Sequence, residues 1–263
     1  MKLDVNLHTH TRRCRHAAKE DDRAWVEAAL AAGIRVLGFS DHCPWPRVEP
    51  IPPPGFRSGV RMDPEETAGY VESLLALREE YKGRVDIRIG FEVEHALPPR
   101  IAAQDALFAP FPVDYLICGQ HYLGDGSDEW KGDWSGSPTQ DESRLEAYVG
   151  RCLEAMATGR YLYLAHPDVI NYVGPDDVYG RHMSRLCEWL AAHDSPVEVN
   201  LLGLYGKRHY PSERFLRIAA DCGCKAVLGV DAHDPARLLD PVPEAEARAL
   251  CARVGLPVVE PDV

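Results

Sequence analysis

The sequence predicts an α/β fold on a parallel sheet. Seven short apolar runs recur along the 263 residues, amphipathic stretches separate them, and glycine closes several of those stretches. The runs span 3–7, 36–39, 85–91, 115–118, 161–165, 197–201 and 226–230, each of strand length. Helices are expected over 22–32, stopped by Gly33, over 64–81, stopped at Gly83, and over 141–158, stopped by Gly159. Glycine supplies the left-handed residue that ends a helix. Three more are expected over 176–193, 212–221 and 243–254. Helical crossovers between consecutive strands make the sheet parallel. A doubly wound sheet and a closed barrel both fit this alternation, and periodicity does not separate them. No linker, composition shift or internal repeat divides the chain, so one domain over 1–263 is expected.

Composition narrows the partners. Hydrophobic residues make up 45% of the chain, enough for a sizeable core, and 29 Lys and Arg against 41 Asp and Glu give a formal charge of -12. That field repels polyanions, so a small molecule is favoured over nucleic acid. The chain lacks an apolar run long enough to span a membrane, and residue 3 enters a strand-like segment without a basic and apolar leader, which points to the cytoplasm. The eight cysteines are then expected as reduced thiols, and Cys222 and Cys224, spaced C-x-C, make a poor zinc site. Oligomeric state is not legible.

The ends of the strands carry the chemistry. The first run leads into His8 and His10, and spacing by two on an extended backbone turns both side chains to one side, where they can grip one ion. His16 follows in the next loop, where a turn can bring its imidazole back. The second strand ends at Ser40, Asp41 and His42, the third at Glu92, the fourth at His121, the fifth at His166, and the last at Asp231 and His233. In a barrel these ends meet at one face, and the convergence favours the barrel. Seven imidazoles and two carboxylates at one mouth would repel or desolvate one another without cations. Nine donors exceed one ion's needs, so two or three ions are expected. Imidazole with carboxylate suits zinc, manganese or iron. Glu94 rivals Glu92, because spacing by two places both on one face. Asp41 suits orienting a liganding imidazole better than ligation itself. His95, His182 and His193 fall outside the pattern and are expected to be structural or exposed.

The ordered motifs L-H-T-H-T, C-R-H-A, G-F-S-D-H, G-F-E-V-E, G-Q-H-Y-L-G, A-H-P-D and L-G-V-D-A-H resemble the PHP (polymerase and histidinol phosphatase) family, in its stand-alone histidinol-phosphatase group, over nearly the whole chain. The resemblance implies a distorted (β/α)7 barrel of TIM-like type, three divalent metal ions and phosphoesterase activity. Carried over, His8, His10, Glu92 and Asp231 would hold the first ion, Glu92, His121 and His166 the second, and His16, His42 and His233 the third, with Glu92 as bridge. Three stretches depart from the family pattern. Asn6 stands where an aspartate usually orients a ligand, Gly119-Gln120-His121 replaces G-S-V-H, and Asn200 to Tyr205 lacks an arginine able to touch substrate.

The expected chemistry is hydrolysis of a small phosphate monoester by a hydroxide bridging two ions, with Glu92 and Asp231 as the catalytic carboxylates. L-histidinol phosphate is the substrate implied by the resemblance, and the altered 201–205 stretch keeps another phosphomonoester or nucleotide in view. A non-catalytic metal-binding module is the reading from a different class. Arg12, Arg15, Lys207, Arg208 and His209 are the expected substrate-binding groups. The 44–54 and 123–138 segments read as long loops, and Trp130 and Trp134 are candidates for a lid.

Overall fold

The computed structural model describes residues 3–49, 51–123 and 128–263. Strand β1 is Val5–Asn6, β2 Val36–His42, β3 Asp86–Val93, β4 Tyr115–Cys118, β5 Val197–Asn200 and β6 Ala226–Gly229. All pairings are parallel, β1-β2-β3-β4 in one run and β5-β6 in another. Isolated bridges join the two runs into a ring: Leu164 pairs with Cys118 on one side and Val197 on the other, and Thr9 pairs with Ala232. The fifth expected strand, 161–165, is thus reduced to one bridging residue. The chain turns out of the sheet at His166, whose φ is 29°.

The helices are α1 (Asp22–Ala32), α2 (Thr67–Glu80), α3 (Pro98–Phe108), α4 (Asp128–Lys131), α5 (Glu142–Ala157), α6 (Asp176–Ala192), α7 (Leu201–Tyr205), α8 (Glu213–Asp221) and α9 (Val242–Val254). Local chemistry sets their ends. Asp21, Asp141 and Ser212 accept from the backbone N–H groups of Ala24, Ser143 and Phe215, caps worth about 1 kcal/mol each. Gly33 closes α1 at φ 72°. The helix expected from residue 64 begins as a 3-10 turn, Pro64–Glu66, before α2. Helix α3 has no counterpart in the expected elements; it opens on Pro98 and Pro99, and proline fits the first turn of a helix, where its missing N–H costs nothing.

Apolar packing divides along the sheet. Leu7, Tyr115, Ile117, Tyr163 and Val227 fill the inside of the ring, while a larger cluster including Trp25, Phe39, Ile89, Leu145 and Phe215 seals strands against helices. Strands β2, β4, β5 and β6 are covered on both faces, as parallel strands require. Their C-terminal ends open on one side, above the apolar floor. All eight cysteines are free and seven are buried. Among the described residues, no helix is long and apolar enough to cross a membrane.

Candidate metal centre

The nine predicted donors converge at this open end. His8 and His10 leave β1, His42 ends β2 and Glu92 lies near the end of β3. A 3-10 turn, Arg12–Cys14, followed by Arg15 at φ 67°, reverses the chain and returns His16 to the mouth. Neighbouring imidazoles form a continuous array: ring centroids of His10 and His233 are 4.1 Å apart, His10 and His42 4.3 Å, His16 and His233 4.4 Å, His42 and His121 5.1 Å, and His121 and His166 4.8 Å. His166 and Asp231 (φ 52°) both hold left-handed backbone, costing about 1–3 kcal/mol each for a residue with a side chain. Such strain collects at functional sites.

Glu92, 1% exposed, sits at the centre. Its Oε1 faces His166 Nε2 at 2.7 Å and His121 Nε2 at 3.5 Å, while Oε2 faces His42 Nδ1 at 2.8 Å, His10 Nε2 at 3.6 Å and His8 Nε2 at 3.7 Å. One carboxylate therefore serves two groups of imidazoles. Asp231 Oδ1 lies 3.1 Å from His10 Nε2 and 3.5 Å from His8 Nε2, and the two Nε2 atoms are 3.2 Å apart. The vertices of a tetrahedron with ligands at about 2.1 Å stand about 3.4 Å apart, so the His8, His10 and Asp231 donors match the spacing a small cation imposes, and Glu92 Oε2 lies within 3.7 Å of both imidazoles.

Tautomers argue the same way. His8 Nδ1 donates to Glu198 at 2.7 Å, His16 Nδ1 to the Cys14 carbonyl at 2.8 Å, His121 Nδ1 to Glu94 at 3.0 Å and His233 Nδ1 to the Asp231 carbonyl at 3.1 Å. Each bond leaves Nε2 bare, as in an imidazole that binds a metal. His42 Nδ1, Glu92 Oε2, His166 Nδ1, Asp231 Oδ1 and His233 Nε2 are buried without a hydrogen-bond partner. Buried lone pairs turned toward one another are costly, and cations relieve that cost. This donor set fits divalent metal.

The charges separate accordingly. Burial opposes ionisation throughout, but Glu92 is held well below the usual carboxylate range by His121, His42 and His8, and Asp231 by His8, His10 and His233. Against burial, Asp231 and Asp41 push His10 up to about 9, and His8 rises well above its ordinary value through Glu198, Asp231 and Glu92. His42 and His233 fall, through burial and then the neighbouring His10. His16 falls to about 4, through desolvation and then His233. His16, His42 and His233 therefore offer neutral imidazoles at pH 7.

The sequence profile of the PHP domain matches residues 6–201. A probable histidinol-phosphatase of Deinococcus radiodurans is 30% identical over 238 residues, spanning 87% of this chain and 85% of its own. The chain belongs to the PHP domain family. A probable histidinol-phosphatase of Schizosaccharomyces pombe is 23% identical over 254 residues, covering 89% of this chain and 81% of its own. Histidinol phosphate phosphatase of Lactococcus lactis, whose crystal structure contains zinc, L-histidinol and phosphate, has a TM-score of 0.70 at 20% identity and covers 98% of this chain and 96% of that one. The PHP fold is therefore shared over almost the full length.

Donor atoms in this PHP chain fall into overlapping trios, each within 4.8 Å: His8, His10 and Glu92; His42, Glu92 and His121; His16, His42 and His233; His8, His166 and Asp231. The expected third trio is assembled as a unit. The expected first and second sets are shared out, Asp231 and His166 grouping with His8 apart from His10 and Glu92, while His42 joins Glu92 and His121. Cys14 also comes within reach of His10 and His233, a neighbour that sequence spacing did not suggest.

Between the rival carboxylates the structure is decisive on position. Glu92 is central, and Glu94 stands behind His121, held by Arg61 at 2.9 Å. Asp41 accepts from the backbone and hydroxyl of Thr11 and lies 3.5 Å from His10 Nδ1, nearer to that ring than to the ring of its neighbour His42 but without a hydrogen bond to it. Asn6 hydrogen-bonds the backbone of His8, not its ring. Its amide donates to Thr9 Oγ1 at 2.8 Å and its oxygen accepts from Val230 N at 2.9 Å, tying β1 to the segment after β6. The carboxylate orienting His8 is Glu198 on β5, which also accepts from His166 N and Asn200 Nδ2, both at 2.9 Å. A lone acid in the otherwise apolar V-E-V run was its only signal.

A cleft of about 410 Å³ opens above the cluster, walled by Val60, Tyr122, Trp134, Leu202, Arg208 and Tyr210. Of the expected substrate groups, Arg208 alone lines it. Arg15 is instead spent inside the protein, on Ser58 O, Arg61 O, Asp63 and Glu66. His209 donates to Val169 O at 2.8 Å and faces a separate cavity. Arg12 and Lys207 are exposed and lie outside the cleft wall. Trp134 borders the cleft, whereas Trp130 packs on Phe56 at 5.7 Å. Residues 124–127 of that loop, including the end of the G-Q-H-Y-L-G motif, lie outside the described residues. His182 pairs with Glu142, His193 stacks on Trp189 and His95 is buried beside Tyr161, all away from the cluster.

Proposed function

We propose that this chain is a metal-dependent phosphomonoesterase that hydrolyses L-histidinol phosphate to L-histidinol and inorganic phosphate, with three divalent ions held by His8, His10, His16, His42, Glu92, His121, His166, Asp231 and His233. The observation that carries the metal reading is the spacing of 3.1–3.7 Å from the His8 and His10 Nε2 atoms to each other and to the carboxylates of Glu92 and Asp231, inside a ring of imidazoles. The substrate reading rests on the Deinococcus relative, similar over most of both chains.

Bound divalent cations would supply the charge that neutralises a phosphate dianion and lowers the pKa of water. The protein's own groups set the rest. Glu92 spans two positions with its two oxygens, and Glu198, Glu94 and the carbonyls of Cys14 and Asp231 lock four imidazoles with Nε2 forward. Asn200 Nδ2 donates to Asp231 Oδ2 at 3.1 Å and fixes that carboxylate. Arg208, with NH1 on Tyr210 Oη at 2.7 Å, brings a fixed positive charge to the cleft for a phosphate oxygen. Tyr122, Trp134 and Tyr210 give the organic half flat surfaces to lie against. A cytoplasmic location accords with eight free thiols.

A different organic half is the second reading, because the 201–205 stretch that forms α7 beside the cleft lacks the family's arginine and carries Tyr205 instead. Phosphate release with added manganese or zinc, compared across L-histidinol phosphate, nucleoside monophosphates and sugar phosphates, decides. The proposal expects kcat/KM for L-histidinol phosphate to lead by on the order of 100-fold. Preference for another ester would transfer the activity to that substrate, and no release from any of them would favour a non-catalytic module.

A further inference from the structure

Arg61 is 1% exposed yet lies at the cleft wall, in a segment with no strand or helix and no part in the metal set. Its guanidinium grips Glu94 as a fork, NH1 to Oε2 at 3.0 Å and NH2 to Oε1 at 2.9 Å. NH1 also donates to the Cys43 carbonyl at 2.7 Å and Nε to Glu129 Oε2 at 2.7 Å. Four of the five N–H directions are thereby spent, leaving little for a substrate. Trp45 lies against the guanidinium, 4.3 Å from its ring centroid, and donates its indole N–H to Glu129 at 2.5 Å, where Ser58 also donates.

These bonds join three parts of the mouth. Cys43, Trp45, Ser58 and Arg61 belong to the segment after β2, Glu129 to α4 in the loop after His121, and Glu94 directly follows β3. Glu94 Oε1 in turn accepts from His121 Nδ1 at 3.0 Å. We infer that Arg61 is a positioning residue: through Glu94 it fixes the ring of His121 with Nε2 toward Glu92, and through Glu129 it holds the two long loops as the walls of the cleft. A buried carboxylate between one cation and one imidazole keeps its place only while both partners remain. Lysine keeps the charge but cannot reproduce the planar fork.

This inference rests on His121 being a metal ligand, and the test separates the two ideas. Metal content after dialysis, kcat and KM for L-histidinol phosphate, and melting temperature are measured for Arg61→Lys, Glu129→Gln and His121→Ala. Arg61→Lys is expected to weaken retention of one ion by about 10- to 100-fold, the usual cost of losing a group that orients a ligand. Glu129→Gln, which loosens only the loops, is expected to raise KM about tenfold with metal content kept, since it removes a charged hydrogen-bond partner from the wall. If Arg61→Lys does not fold, Glu94→Gln, close in shape to the original, must show the same metal loss. Full metal content and unchanged KM in the folded variants, or a lower melting temperature alone, overturns the inference. Unchanged metal content in His121→Ala overturns the ligand assignment beneath it.

Discussion

Replacing Glu92 by alanine is expected to abolish turnover and strip metal from the protein together. Its two oxygens face different imidazoles, His121 and His166 on one side and His8, His10 and His42 on the other. Losing it leaves five rings without their shared counter-charge around a buried position. Turnover should fall to below about one-thousandth, at least the loss that follows removal of a single transition-state contact. Glu92→Gln separates charge from shape. It nearly conserves volume, so the fold should persist while metal content drops. Either variant with full metal content and near-normal turnover would end the bridging role.

A methyl group at Gly119 should do comparable damage from outside the donor set. A Cβ there would stand 1.9 Å from Glu92 Oε1, 2.5 Å from its Cδ and 2.7 Å from its Cγ. No rotation of a small side chain avoids this, because the obstacle is the carboxylate itself, buried and hemmed in by histidines. Gly119→Ala must push Glu92 aside or displace β4, whose chain continues directly into the glycine. We expect a loss of turnover on the order of 100-fold or more, with metal loss, and overpacking of about 1–3 kcal/mol read as a lower melting temperature. Normal activity at full metal occupancy would mean that Glu92 has freedom the packing denies it.

The strand ends were legible because β geometry has a period of two. His8 with His10 and Asp231 with His233 had to share a side, and parallel strands had to deliver their ends to one face. The bracing groups were not legible. Glu198 lies 190 positions from His8, and Arg61 lies 33 positions from Glu94 in a segment without regular structure. Nothing local distinguishes such a charge from a solvated one. Arg15 and His209 failed for the converse reason. Each sits in a loop near the mouth, and backbone carbonyls, with two acidic side chains for Arg15, claim it before a substrate can. The strand at 161–165 was overstated because hydrophobicity reports burial, whereas the extent of pairing is set by the left-handed turn at His166.

Nine residues gathered in this way are expected to form one multinuclear metal site. Metal analysis of the intact protein, purified without chelator and dialysed against metal-free buffer, tests it most directly. About three divalent ions per chain are expected, since nine donors at roughly three or four protein ligands per ion, with Glu92 shared, fill three positions. Retention of less than one ion per chain, in protein that still releases phosphate from L-histidinol phosphate, would contradict it.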